Sequence, residues 1–186
     1  NAELLPFREK IQRIVDAEWN LRYSKKLNRF IKKATLKYPA ADLDETLYNP
    51  ERQLEVRIIG ELSKCEWIEQ GKNLVITGKT SSGKSYLANA LCIYVGYVML
   101  SYDLLVVDDF GLMNMDVNKC RNLFEVFDSR DPHKSILVIS QFPVPAWYDM
   151  FQDHTYAEAC LARMLSGAYR LEMNGKNMRD MEPINK

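Results

Sequence analysis

The sequence predicts an α/β fold, a parallel sheet flanked by helices, preceded by a basic α-helical N-terminal segment. Three observations carry that prediction. A short β-branched run, Leu74-Val75-Ile76-Thr77, leads into a glycine-bearing loop and then a helix-forming stretch. A second apolar run, Leu104-Leu105-Val106-Val107, ends in Asp108-Asp109, and a third, Ile136-Leu137-Val138-Ile139, ends in Ser140-Gln141. Apolar runs without alternation are expected for strands covered on both faces of a parallel sheet. The 186 residues suffice for one such domain and a helical appendage, not for two full-size domains.

The first element is the appendage. Residues 8–37 hold ten basic side chains against Glu9, Asp16 and Glu18, a net +7 that the rest of the chain cancels to zero. The zero total argues against a uniformly basic nucleic-acid binder but not against a segregated basic patch. Apolar residues recur at Phe7, Ile11, Ile14, Val15 and at Leu27, Phe30, Ile31, Ala34, which is helical spacing for two helices or one bent one. Pro6 suits a first helical turn and Pro39 disfavours helix before it. The charges form either a solvated helical face or a surface for phosphate backbones, with Arg22, Lys25, Lys26, Arg29, Lys32 and Lys33 as candidate contacts.

Residues 39–50 contain two prolines, three acids and no clear period, so they read as a linker. The expected organisation is a segment over 1–38, a linker over 39–50 and a domain over 51–186. From Pro50 a helix is expected with the stripe Leu54, Ile58, Leu62, Cys65, closed near Gly71.

The loop after the first strand carries the strongest chemical signal. Gly78-Lys79-Thr80-Ser81-Ser82-Gly83-Lys84-Ser85 matches the phosphate-binding pattern G-x-x-x-x-G-K-[ST] at every fixed position. Tyr86 to Cys92 reads as the helix that must follow. Gly78 and Gly83 permit dihedrals and a close backbone approach that a Cβ obstructs. Successive N–H groups, including those of Thr80, Ser81, Ser82 and Tyr86, then surround phosphate oxygens at a helix N-terminus. Lys84 supplies charge to the β- and γ-phosphates and Ser85 a hydroxyl to Mg²⁺. ATP and Mg²⁺ are the expected ligands.

The second run then reads as a Walker B strand. Asp108, at its C-terminal end, is the candidate metal carboxylate, and Asp109 the group that orients or deprotonates attacking water. At the end of the third strand, Gln141 or Ser140 is placed to reach the γ-phosphate or its water. The interval between the first two strands is short. With a helix from Lys84 to about Val95 and Tyr97-Val98-Met99-Leu100 read as the start of a strand, no crossover remains before Asp103. A segment is therefore expected to be missing between about Val98 and Tyr102; the alternative is a natural deletion, which would leave the sheet one strand or one helix short.

Cys65, Cys92, Cys120 and Cys160 are widely spaced, which excludes a zinc ribbon and a thioredoxin motif and points to reduced core cysteines. No apolar run approaches the ~20 residues of a membrane span. The opening Asn1-Ala2-Glu3 has no leader features, and a cytoplasmic location is expected.

Taken with the loop at 78–85, Asp108-Asp109-Phe110-Gly111 and Ser140-Gln141-Phe142-Pro143-Val144, the chain resembles the IstB-type transposition helper ATPases. These are relatives of the DnaC-type helicase loaders within the AAA+ class. The likeness extends to Tyr38-Pro39-Ala40, Trp147, Leu161-Ala162-Arg163-Met164 and Met178-Arg179. It implies an ATPase that assembles into a homo-oligomer, binds duplex DNA with little sequence preference and engages a transposase. It also implies that Arg163 serves the neighbouring subunit's site as a finger and Arg179 as a second sensor. Asp109 departs from the glutamate usual at the base position. A helicase loader is the alternative within the class. A small-molecule kinase fits the Asp108-Asp109 pair and the trailing arginines poorly, and a nucleotide-gated binding module would differ in turnover.

Overall fold

The computed structural model describes residues 6–46, 54–99, 103–174 and 178. Four parallel strands form one sheet in the order β2-β3-β1-β4: β1 Leu74–Gly78, β2 Leu105–Phe110, β3 Ile136–Ser140 and β4 Tyr169–Met173. Leu74 lies beside Leu137 on one side and Tyr169 on the other, so β1 is held from both flanks. The helices are α1 Phe7–Ala34, α2 Val56–Ser63, α3 Glu66–Glu69, α4 Lys84–Val98, α5 Val117–Asp128 and α6 His154–Leu165. The expected α/β class is present. Strand β4 and helix α5 add to the elements expected from the sequence.

Strand alternation distributes the core over both faces. Leu74 and Ile76, Leu137 and Ile139, and Leu171 and Met173 pack with α2, α3 and α4. Val75, Ile136 and Val138 point the other way, onto Cys120 and Phe127 of α5 and Ala157, Cys160 and Met164 of α6. Trp147 is fully buried there against Phe110, ring centroids 4.8 Å apart, with its indole N–H on the Phe142 carbonyl at 3.0 Å. All four cysteines are free and buried, and burial pushes the Cys92 thiol up to about 12. Among the described residues no helix is long and apolar enough to cross a membrane.

Four expectations change at this level. The basic segment is one continuous helix of 28 residues, ended at Thr35 in a left-handed turn. Its inward face carries the half-buried Leu27, Phe30 and Ile31, and Phe30 lies on Gly96 of α4, where an added Cβ would come within 2.4 Å of the ring. The stretch read as a linker is packed in its first part: Ala41, Leu43 and Thr46 are buried, while residues 47–50 lie outside the described ones. The stripe on α2 centres on Ile59 and Leu62, with Ile58 half-buried, and Cys65 separates α2 from a second short helix before Gly71.

The fourth change concerns the crossover. Tyr97 and Val98 continue α4 and do not begin a strand, so α4 itself is the crossover that makes β1 and β2 parallel. The apolar character of 97–100 misled, because an apolar helix end and a strand look alike over four residues. The place expected to lack a segment falls partly on residues 100–102, outside the described ones. Nor is β2 flanked on both sides: among the described residues it is an edge strand, half-buried from Leu105 to Asp108.

Candidate nucleotide site

The loop between β1 and α4 has the conformation its residues predict. Gly78 sits at φ 142°, and a Cβ on it would meet the Met173 carbonyl oxygen of β4 at 1.9 Å. Gly83 precedes α4, whose first residues Lys84 and Ser85 open the helix at the C-terminal end of the sheet. The Lys84 ammonium is buried and donates to the carbonyls of Gly78 and Lys79, both at 2.7 Å. Burial lowers its pKa, and the charges of Asp108 and Asp109 oppose that shift.

The two candidate metal residues come together. Ser85 Oγ donates to Asp108 Oδ1 at 3.1 Å, and the Asp109 N–H donates to the same oxygen at 2.9 Å. Both bonds fall on one carboxylate oxygen, which leaves Oδ2 able to face a cation. The hydroxyl–carboxylate pair beside a loop of N–H groups fits a magnesium–nucleotide complex. Asp109, exposed at φ 56°, lines the same cavity.

That cavity has a volume of about 410 Å³. Thr80, Ser81, Gly83, Lys84, Ser85 and Tyr86 line it from the loop and helix. Gln141 faces it and accepts a hydrogen bond from Thr80 Oγ1 at 2.5 Å. Ser140, the other candidate at this strand end, is fully buried and donates to the Phe110 carbonyl instead. Of the two, Gln141 is therefore the one that faces the cavity.

The far wall was not foreseen. Lys37, Tyr38, Glu45 and Thr46 line it, beside Tyr86 of α4. The wall is fixed by bonds from the Tyr38 N–H to Asn89 Oδ1 and from the Asp42 N–H to the Tyr86 hydroxyl, each at 3.2 Å. No short motif marks these residues, because their contribution depends on how 38–46 folds back onto α4. Met178 also lines the cavity, its N–H on the Ser81 carbonyl at 2.8 Å.

The two arginines stand differently. Arg163, on α6, is outside the cavity of its own chain. Its guanidinium binds Asp128 Oδ1 and stacks over Phe124 at 4.6 Å. Arg179 lies outside the described residues. On α1, Arg22, Lys25, Lys26, Arg29, Lys32 and Lys33 are all exposed and fall at three- and four-residue spacing on the face away from Leu27 and Phe30. Arg22 pairs with Glu18 at 2.6 Å.

The family described as IstB-like ATP binding protein matches residues 1–96 and 95–184. This chain belongs to that family. Among its relatives, a protein of Sinorhizobium fredii named as an insertion sequence ATP-binding protein is 32% identical over 197 aligned positions, covering 89% of this chain and 79% of that protein. A second protein of that name and organism is 28% identical over 209 positions, covering 96% and 85%. An insertion sequence ATP-binding protein of Pseudomonas fluorescens is 31% identical over 170 positions, covering 75% and 74%. Membership of an ATP-binding family agrees with the cavity formed by the loop, α4 and β2.

Proposed function

We propose that this IstB-like protein is an ATP-hydrolysing, duplex-DNA-binding helper of insertion-sequence transposition that assembles with ATP and engages a transposase. The observation that carries the reading is the juxtaposition of Lys84, Ser85, Asp108 and Asp109 at one end of the sheet. Loop N–H groups and Lys84 hold the β- and γ-phosphates. Ser85 and Asp108 would hold magnesium, which supplies charge neutralisation on those phosphates when bound. Asp109 orients the attacking water, and Gln141 senses the γ-phosphate by exchanging its bond to Thr80. Tyr38, Glu45 and Tyr86 enclose the base and ribose.

DNA binding is supported by the outward basic face of α1. Those side chains reach phosphates at any sequence, so they give affinity without specificity. Assembly is supported by a second feature of that helix: Phe7, Ile11, Ile14 and Leu21 recur at helical spacing and are 44% or more exposed. Arg163, absent from its own cavity, is free of the geometry of its own site and serves a neighbour's.

Light scattering with ATP, ADP and duplex DNA in turn tests the reading. Growth in mass with ATP and duplex DNA together is the expected result. A monomer under every condition contradicts assembly. A pull-down against the cognate transposase and a replicative helicase separates the helper from a loader.

A further inference from the structure

The first half of strand β2 is composed as an interior strand, yet among the described residues β2 stands at an edge. That half, Leu105-Val106-Val107, has no charge, proline or alternation, the devices that natural edge strands carry; the charges Asp108 and Asp109 and the register shift come only at its C-terminal end, in the site. The opposite edge has them: in β4, Arg170 and Glu172 alternate with the buried Leu171 and Met173. Every residue of β3 is buried, yet Leu105, Val106 and Val107 are only half-buried.

The alignments supply an independent observation. The first Sinorhizobium relative aligns over 197 positions while using only 89% of this 186-residue chain, so about thirty positions face no residue here. The second, over 209 positions and 96% of the chain, gives about the same shortfall. The family match divides at residues 95–96, within the last turns of α4 and ahead of β2. About thirty residues, roughly the length of a strand–helix–strand unit, is room for one added strand and helix with their connections. Placed between a crossover helix and an edge strand, such a unit adds its strand beyond that edge without crossing another connection.

We propose that this chain has lost one strand–helix unit that covered β2, and that the loss preserves nucleotide binding while slowing turnover. The inference rests on the ATP-site reading. The binding parts, the loop and Lys84, hang from β1, which is paired on both sides. The hydrolytic carboxylates hang from β2, which among the described residues is paired only with β3 and leaves regular register after Val107. A misplacement of about 1 Å at such groups can cost about a hundredfold in rate.

The test splices into this chain, at the 95–96 break, the segment of the first Sinorhizobium relative that has no counterpart here. ATP affinity, ATP turnover and amide exchange at Leu105–Val107 are measured in both proteins. The expected result is similar affinity, turnover at least about tenfold higher in the spliced protein, and fast exchange of the β2 amides that slows on splicing. Equal turnover overturns the inference. Slow β2 exchange in the parent chain also overturns it, and that measurement stands even if the spliced protein fails to fold. Absence of ATP binding by both overturns the nucleotide reading, while the exchange comparison still decides whether the edge is open.

Discussion

Lys84 shows how one side chain depends on its neighbours' charge. Burial alone disfavours its ammonium, and Asp108 and Asp109 hold the charge in place. Asp109→Asn removes part of that support, so the Lys84 pKa falls further and the ammonium is lost at lower pH. ATP affinity measured across alkaline pH should therefore begin to fall at lower pH in Asp109→Asn than in the parent. Turnover should drop with ATP affinity retained at neutral pH; undiminished turnover would remove Asp109 from the water-orienting role. Gly78→Ala is a backbone case. Its Cβ would lie 1.9 Å from the Met173 carbonyl oxygen at a φ of 142°, and a loss of about 2 kcal/mol or more in urea unfolding is expected. These residues were legible in the sequence because the phosphate loop is local: eight consecutive residues specify it. Tyr38, Glu45 and Thr46 were not, since they reach the same cavity only through the packing of 38–46 on α4.

At the scale of elements, α1 presents its basic face as a unit. Reversing charge at Lys25, Lys26, Lys32 and Lys33 should weaken duplex binding equally at all sequences. Each lost phosphate contact should reduce the log–log salt slope by about 0.9, and an unaltered slope returns the helix to a solvated face. Helix α6 depends on its first residue's neighbour: the Asp153 carboxylate accepts from the N–H groups of Thr155 and Tyr156 at 2.8 and 3.3 Å. Asp153→Ala should cost about 1 kcal/mol in thermal or urea unfolding. The strands were legible from their apolar runs, but their order was not. A run such as Leu104–Val107 looks the same whether its strand lies inside the sheet or at an edge, and the half-exposed edge appears only when the neighbours are placed. The end of α4 was misread for the same local reason, an apolar stretch too short to separate helix from strand.

In the whole molecule, the sheet gathers one chain's phosphate loop, carboxylates and Gln141 on one side, and leaves Arg163 elsewhere, held by Asp128. If a neighbour's site uses Arg163, then Arg163→Ala keeps ATP affinity and loses turnover. Mixing it with Asp109→Ala should restore part of the turnover, because some interfaces then combine an intact arginine with an intact carboxylate. No recovery on mixing would confine Arg163 to its bond with Asp128. All of these readings depend on one claim, that the cavity of Lys84, Ser85 and Asp109 takes a magnesium nucleotide. Calorimetric titration of ATP with Mg²⁺ into the parent protein and into Lys84→Ala tests it most directly. The account predicts saturable binding by the parent and a loss of at least about tenfold in the variant, 1.4 kcal/mol or more. Equal affinity in the two proteins, or no binding by the parent, would contradict it.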